Sequence, residues 1–148
     1  MPERSGPALT ADVVLLAGDP AASVLLIERR NDPFAGHWAL PGGFVEAGET
    51  VRDAALRELA EETGVAAEDS LTLLGVYDTP GRDPRGPTVS VTYVQRTAGE
   101  LVAHGGDDAS QACWLALVSL PALAFDHARI LADAVAWARG APAPAGRS

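Results

Sequence analysis

The chain has 148 residues, of which 47% are hydrophobic and 21% charged, a balance that is typical of a folded globular protein and excludes a disordered one. A formal net charge of −9 weighs against non-specific binding of long nucleic acids, and no apolar run approaches the roughly 20 residues that a membrane span needs. The first residues do not resemble a secretory signal and the single cysteine excludes an internal disulfide, so we expect a cytoplasmic protein.

The first third of the chain predicts a β-hairpin followed by a long loop. Residues 10–18 and 23–30 are rich in β-branched and aliphatic residues and are separated by the turn signal DPAA. Residues 31–49 are dense in glycine and proline, which favours a loop with short extended pieces.

A helix is predicted over residues 50–63. Thr50 followed by Asp53 matches a capping box at its start, and Gly64 stands where a left-handed C-terminal cap belongs.

The second half predicts three more strands and a closing helix. The strands are expected at 71–78, 88–96 and 112–117. Apolar residues at helical spacing predict the helix over 125–140, with His127 at its surface or cap, and residues 141–148 read as a frayed tail. Several strands with two helices predict a mixed sheet with helices packed against it.

The helix at 50–63 carries an unusual concentration of carboxylates. On a helical wheel, Glu58 and Glu62 fall in the same narrow arc as Val51 and Ala55, on the side used for packing. Two carboxylates about 4 Å apart repel by roughly 4 kcal/mol at an effective dielectric of 20. Either one carboxylate is protonated or a cation lies between them, and a hard divalent ion such as Mg²⁺ suits oxygen ligands. The alternative is a solvated acidic helix face, the commoner fate of a lone glutamate pair.

The residues around these glutamates match a known motif. The segment GFVEAGETVRDAALRELAEETGV, residues 43–65, fits G-x5-E-x7-R-E-U-x-E-E-x-G-U, with U aliphatic, at every specified position. This chain therefore resembles the Nudix hydrolases, and the order of its predicted elements resembles theirs over nearly its whole length. The resemblance implies an α/β/α sandwich of the α+β class, formed by one domain over 1–148 with an ordered core at about 9–140 and a flexible tail at 141–148.

The resemblance also implies a chemistry and its residues. Nudix hydrolases cleave a diphosphate linked to a second moiety, usually by attack of a metal-activated water. The implied metal ligands are three glutamates and a loop carbonyl: Glu58, Glu61, Glu62 and Gly42 or Gly43. Arg57 would orient one of the glutamates through a charge-assisted hydrogen bond, and Glu49 would brace the loop or bind metal indirectly. Mg²⁺ is the expected ion, with Mn²⁺ as a substitute.

Many members of this family draw a further carboxylate from a loop late in the chain. The matching segment here is HGGDDAS, residues 104–110, whose acids are Asp107 and Asp108. Asp108 is the preferred candidate for the catalytic base or extra metal ligand, and Asp107 is the second. A plain loop-capping pair is the alternative, because aspartate is shorter than the glutamate often found there.

The segment YDTPGRDPRGPTVSVTYV, residues 77–94, resembles the corresponding part of ADP-ribose pyrophosphatases. Pro80 lies fifteen residues past Val65, a spacing associated with that subgroup. Arg82 and Arg85 could pair with the pyrophosphate or the terminal ribose of a substrate. The alternative is that Asp83 and these two arginines only hold the loop together.

We therefore expect hydrolysis of a small nucleoside diphosphate linked to another moiety, with ADP-ribose giving AMP and ribose 5-phosphate. A rival within the family is a house-cleaning pyrophosphatase that acts on oxidised or ordinary nucleoside triphosphates. A rival of another class is a non-catalytic, ligand-sensing Nudix domain, against which the intact motif and the lack of a basic helix-turn-helix weigh. Relatives are often homodimers, so a homodimer is a further expectation, while nucleic acid and membrane are not expected partners.

Overall fold

The computed structural model describes residues 6–67, 70–105 and 109–144. Within these ranges the chain forms seven strands and two helices. The strands are β1 (Ala8–Ala17), β2 (Ser23–Arg29), β3 (Trp38–Ala39), β4 (Gly42–Phe44), β5 (Thr72–Tyr77), β6 (Thr88–Thr97) and β7 (Ala109–Ala116), and the helices are α1 (Val51–Thr63) and α2 (His127–Ala138). Neither of these helices is long and apolar enough to cross a membrane.

The strands form one mixed sheet in the order β3-β2-β1-β6-β5, with β4 also paired to β1 and β7 to β2. Among the strands that the structure describes, only β1 and β6 pair in parallel, and their pairing extends over the full length of both strands. One edge of β1 is shared by two partners, because residues 10–12 pair with β4 and residues 16–17 pair with β2. The predicted hairpin of β1 and β2 is therefore confirmed, but its direct pairing is short.

Each face of the sheet carries its own apolar core. Along β1, Ala11, Val13 and Leu15 face the first core, and Val14 and Leu16 face the second. Helix α1 covers the first core and α2 covers the second, which confirms the expected α/β/α arrangement. Because β1 is buried on both faces, residues 13–17 form a continuous apolar run rather than an alternating pattern.

The ends of α1 follow the predicted signals. The Thr50 side chain accepts a hydrogen bond from the Asp53 N–H at 3.0 Å, and Gly64 adopts the left-handed conformation with φ of 75°. The predicted loop at 31–49 contains β3 and β4, which are too short to show a period in sequence. Beyond α2, the Ala141 N–H donates to the Ala136 carbonyl and Ala143 packs on the second core, so the described start of the expected tail lies against the domain.

Candidate active site

A cavity of about 250 Å³ opens beside α1, at the end of the sheet where β1 pairs with β4. Its lining includes carboxylates, glycines and a histidine: Asp12, Gly42, Gly43, Glu58, Glu62 and His127. Two of the predicted glutamates and both predicted glycines thus meet at one place.

The backbone of β4 positions the two glutamates. The Gly42 N–H donates to Glu62 Oε1 at 2.8 Å, and the Glu62 residue is only 6% exposed. Gly43 lies so close to Glu58 that a Cβ added there would overlap Oε2 and stand 2.6 Å from Cδ. The adjacent glycines therefore allow α1 to bring its carboxylates directly against the strand.

Arg57 holds the acidic side of this helix together. Its guanidinium donates to both carboxylate oxygens of Glu49, at 2.7 and 3.1 Å, and to the Phe44 carbonyl at 3.2 Å. It also lies 3.2 Å from Glu58 and 3.3 Å from Glu61. The hydrogen bond to Glu49 is the main reason that the pKa of Arg57 is raised, and the same bond lowers the pKa of Glu49. Arg57 thus contacts three acids at specified positions of the motif, Glu49, Glu58 and Glu61, and Glu58 also lines the cavity.

Glu61 occupies a different position from its two companions. Its side chain is 42% exposed, contacts Arg57, and lies outside the residues that line the cavity. Within the described ranges, no three acidic, histidine or cysteine side chains converge closely enough to form a complete metal site. The oxygen donors of Glu58 and Glu62 fit a hard divalent ion, because Mg²⁺ typically uses one or two carboxylates and completes its shell with water and substrate phosphates.

The two arginines predicted to bind substrate line the same cavity, and both have acidic partners. Arg82, whose side chain is 4% exposed, forms a two-pronged pair with Asp126 at 2.7 and 3.0 Å. Arg85 pairs in the same way with Asp83 at 2.8 and 3.1 Å. Burial alone would raise the pKa of Asp83, but the bonds from Arg85 outweigh it and lower that pKa. Arg85 is thus held within the loop by Asp83, while Arg82 ties the loop to the start of α2.

Pro80 lies in a second cavity, of about 500 Å³, which shares Arg82 and Phe125 with the first. Phe34 lines it as well. Asp107 and Asp108, the candidates for the late carboxylate, lie outside the described residues.

Asp12 and His127 are among the cavity residues that were not predicted as site residues. The prediction of His127 at the surface is wrong, because the residue is only 3% exposed and its Nδ1 accepts a hydrogen bond from the Leu40 N–H at 3.0 Å. Burial is the main cause of the lowered pKa of this histidine. An acid inside an otherwise apolar strand was the available signal for Asp12, whereas His127 gave none beyond its place at a helix start.

Comparison with known proteins agrees with this geometry. The family model described as the NUDIX domain matches residues 6–137. The chain belongs to the Nudix family. Members of this family use divalent metal ions.

Three relatives bear on function. The ADP-ribose pyrophosphatase of Methanocaldococcus jannaschii is 47% identical over 135 residues, covering 90% of this chain and 76% of that protein. The "ADPR responsive transcriptional repressor NtrR" of Acinetobacter baylyi is 33% identical and covers 88% of this chain, which spans only 54% of that protein. The structure of the NUDIX domain of Shewanella oneidensis NrtR complexed with ADP ribose superposes with a TM-score of 0.79 at 33% identity, covering 88% of each chain.

Proposed function

We propose that this Nudix-family chain hydrolyses ADP-ribose to AMP and ribose 5-phosphate with Mg²⁺, for which Mn²⁺ can substitute. The observation that carries the chemistry is the convergence of Glu58 and Glu62 on one cavity, each held close to the backbone of β4. Support for the substrate comes from the M. jannaschii pyrophosphatase and from the relative crystallised with ADP ribose.

The residues of the chain have separable roles in this proposal. Glu58 and Glu62 hold the metal, with Glu61 and the Gly43 carbonyl as further ligands. Arg57 positions Glu58 while pairing with Glu49 and Glu61, which keeps several acids together on one helix face. A bound divalent ion neutralises charge on the diphosphate and lowers the pKa of a water. Arg82 and Arg85 line the same cavity and offer guanidinium groups to phosphate or sugar oxygens.

The first experiment compares hydrolysis of ADP-ribose with that of 8-oxo-dGTP, in Mg²⁺ and after its removal by EDTA. We expect AMP and ribose 5-phosphate from the first compound, little turnover of the second, and no activity without the ion. Release of pyrophosphate from 8-oxo-dGTP, with ADP-ribose untouched, would favour the house-cleaning pyrophosphatase.

The second experiment tests the metal assignment. Glu62→Gln keeps the size of a side chain that accepts the Gly42 N–H but removes its charge. We expect kcat to fall on the order of 100-fold or more, as when a preorganised charge is lost from an active site, with an unchanged circular dichroism spectrum. The matched control is Glu100→Gln, at an exposed residue outside the cavity, which should keep wild-type kcat. Near-normal turnover by Glu62→Gln would contradict the assignment.

A sensor remains a second candidate because the A. baylyi relative is a repressor that responds to ADPR. The complete motif, with the carboxylates of Glu58 and Glu62 at the cavity, favours catalysis over sensing. Binding of ADP-ribose without turnover, together with retention on DNA at low salt, would support the sensor instead.

We further propose that the chain acts as one catalytic domain, as a homodimer, and in the cytoplasm, a reducing setting that suits its single cysteine. Asp108, or Asp107 in its place, would supply the late carboxylate. Light scattering tests the dimer, and Asp108→Asn against Asp107→Asn tests which carboxylate matters for kcat.

A further inference from the structure

The sheet face under α2 changes character where it reaches the cavity. Deep in the second core this face presents Val14, Leu16 and Val94. Nearer the cavity the same two strands present buried polar side chains, namely Thr10, Asp12, Ser90 and Thr92. The parallel register places Thr10 beside Ser90 and Asp12 beside Thr92, so these four residues form one patch. Burying polar side chains costs stability unless they are hydrogen-bonded. Their position beside the cavity, rather than deep in the core, favours a role in the site.

Asp12 is the charged member of this patch and lines the cavity. The residue is 6% exposed, and the Ser90 hydroxyl donates to its Oδ2, which Thr10 also approaches at 3.4 Å. Its Oδ1 lies against Gly42, where an added Cβ would overlap it. The protein thus holds a hydrogen-bond acceptor in fixed orientation a short distance from the strand that carries Gly42 and Gly43.

His127 lines the same cavity and supplies a donor. Because its Nδ1 accepts the Leu40 N–H, the neutral ring carries its proton on Nε2. Among the described residues, none accepts a hydrogen bond from that Nε2. Since the ring lines the cavity, its Nε2–H is the donor that it offers to a ligand held there.

We propose that Asp12 and His127 form a subsite for the adjacent hydroxyls of a ribose. One hydroxyl donates to the Asp12 carboxylate and its neighbour accepts from His127 Nε2–H, since a hydroxyl can do either. This inference rests on the proposed function, because the subsite shares its cavity with Glu58 and Glu62, where the diphosphate is placed. Buried polar groups built for a hydroxyl discriminate strongly against analogues that lack it, because they are then left unpaired.

ADP-ribose contains two riboses, and each of its two hydrolysis products, AMP and ribose 5-phosphate, contains one of them. Calorimetric titration in Mg²⁺ with AMP and, separately, with ribose 5-phosphate shows which ribose binds the subsite. The variants are Asp12→Asn and His127→Asn, the second of which retains an acceptor for the Leu40 N–H. Asp133→Asn is the matched control, because that side chain pairs with Tyr77 and lies outside the cavity lining.

We expect Kd for one of the two products to rise at least about tenfold in both variants, as for a lost hydrogen bond to a charged or oriented group. The other product and the control variant should keep their wild-type Kd within about twofold, a change of less than about 0.5 kcal/mol. Wild-type Kd for both products in both variants would overturn the subsite, as would a wild-type protein that binds neither.

A deoxy analogue separates binding from a merely structural role. Wild-type protein should bind the 2-deoxy form of the affected product at least about tenfold more weakly than the ribose form. The variant that has lost the partner of the 2-hydroxyl, Asp12→Asn or His127→Asn, should bind the two forms alike. If both variants have a lower Tm but still discriminate between the two forms, the two residues are structural and the inference is wrong. Failure of the proposed function is read separately, from the absence of ADP-ribose turnover by the wild-type protein.

Discussion

At the scale of single residues, the site depends on glycine as much as on glutamate. Gly43 has no side chain where one would collide with Glu58, and Gly42 has none where one would collide with Asp12. The backbone conformation of Gly43 lies outside the left-handed region, so only the missing Cβ explains the residue at this position. Gly43 therefore sets how closely Glu58 of the helix approaches the strand, and Gly42 sets how closely Asp12 does.

The first residue-scale prediction is that Gly43→Ala displaces Glu58. The added methyl group would force the carboxylate to move, so we expect Mg²⁺ affinity to fall by about 10–100-fold, as when a partner that orients a metal ligand is lost. Calorimetric titration with Mg²⁺ measures the change. Gly99→Ala is the matched control, because a Cβ there meets nothing within 4 Å and the backbone is compatible with alanine. Equal affinities in the two variants would contradict the role given to Gly43.

Residue-level prediction from sequence succeeded where spacing along one helix decides proximity. Glu58 and Glu62 are four residues apart on α1, so their meeting could be derived from helical geometry alone. Asp12 and His127 are separated by most of the chain, and nothing local indicates that β1 and the start of α2 share a cavity. Arg82 pairs with Asp126, which is distant in sequence, and no local pattern predicts that pair.

At the scale of elements, α1 shows why some boundaries are predictable. Its N-cap, Thr50, and its C-terminal Gly64 have local chemical reasons to stand where they do. Strands β3 and β4 have no such signature, since they contain two and three residues and owe their conformation to pairing with β2 and β1. The bounds of an element with its own stop signals were predicted, whereas β3 and β4 were expected only as short extended pieces without positions.

The element-scale prediction concerns the cap. Thr50→Ala removes the acceptor of the Asp53 N–H and should lower the free energy of unfolding by about 1 kcal/mol. Because Thr50 lies outside the cavity lining, kcat should stay within about twofold of wild type, a difference of about 0.4 kcal/mol in barrier height. Urea denaturation measures the stability, and Thr50→Ser, which keeps a hydroxyl, is the control. An alanine variant as stable as the serine variant would show that the cap contributes nothing.

At the scale of the whole molecule, two cores share one sheet, and β1 belongs to both. The largely apolar sequence of residues 10–18 predicts a strand there, but its parallel pairing with β6 cannot be derived from the sequence. The two strands lie about eighty positions apart, and their register, which unites Asp12 with Ser90 and Thr92, is set by packing on both faces. The fold class could therefore be predicted from the order of helices and strands in the sequence. The polar patch could be identified only from the structure.

The whole-molecule prediction concerns acid stability. Burial lowers the pKa of His127 in the folded protein below its ordinary value of 6.5. At higher pH both folded and unfolded states carry neutral His127, and below about 6.5 the unfolded state takes up the proton first. The stability contribution is therefore present above the unfolded pKa and is lost as pH falls toward the folded one.

Thermal melts from about pH 7.5 to about pH 5.5 test this, because most carboxylates stay ionised in that window. We expect wild-type Tm to fall with decreasing pH more steeply than that of His127→Asn, which has no proton to gain there. One such group contributes at most about 1.4 kcal/mol per pH unit. His104→Asn, at an exposed position, serves as the control and should follow the wild-type slope. Parallel curves for wild type and His127→Asn would contradict the prediction.

The polar patch and its histidine are built from three distant stretches of chain, around Asp12, around Ser90 and at His127. A compound that binds there binds only the folded protein, in which all three stretches have come together. It therefore lowers the unfolded population and raises Tm by mass action. Thermal melts followed with a reporter dye can therefore rank sugar nucleotides by affinity before any product is identified. The same measurement works for a variant without catalytic activity.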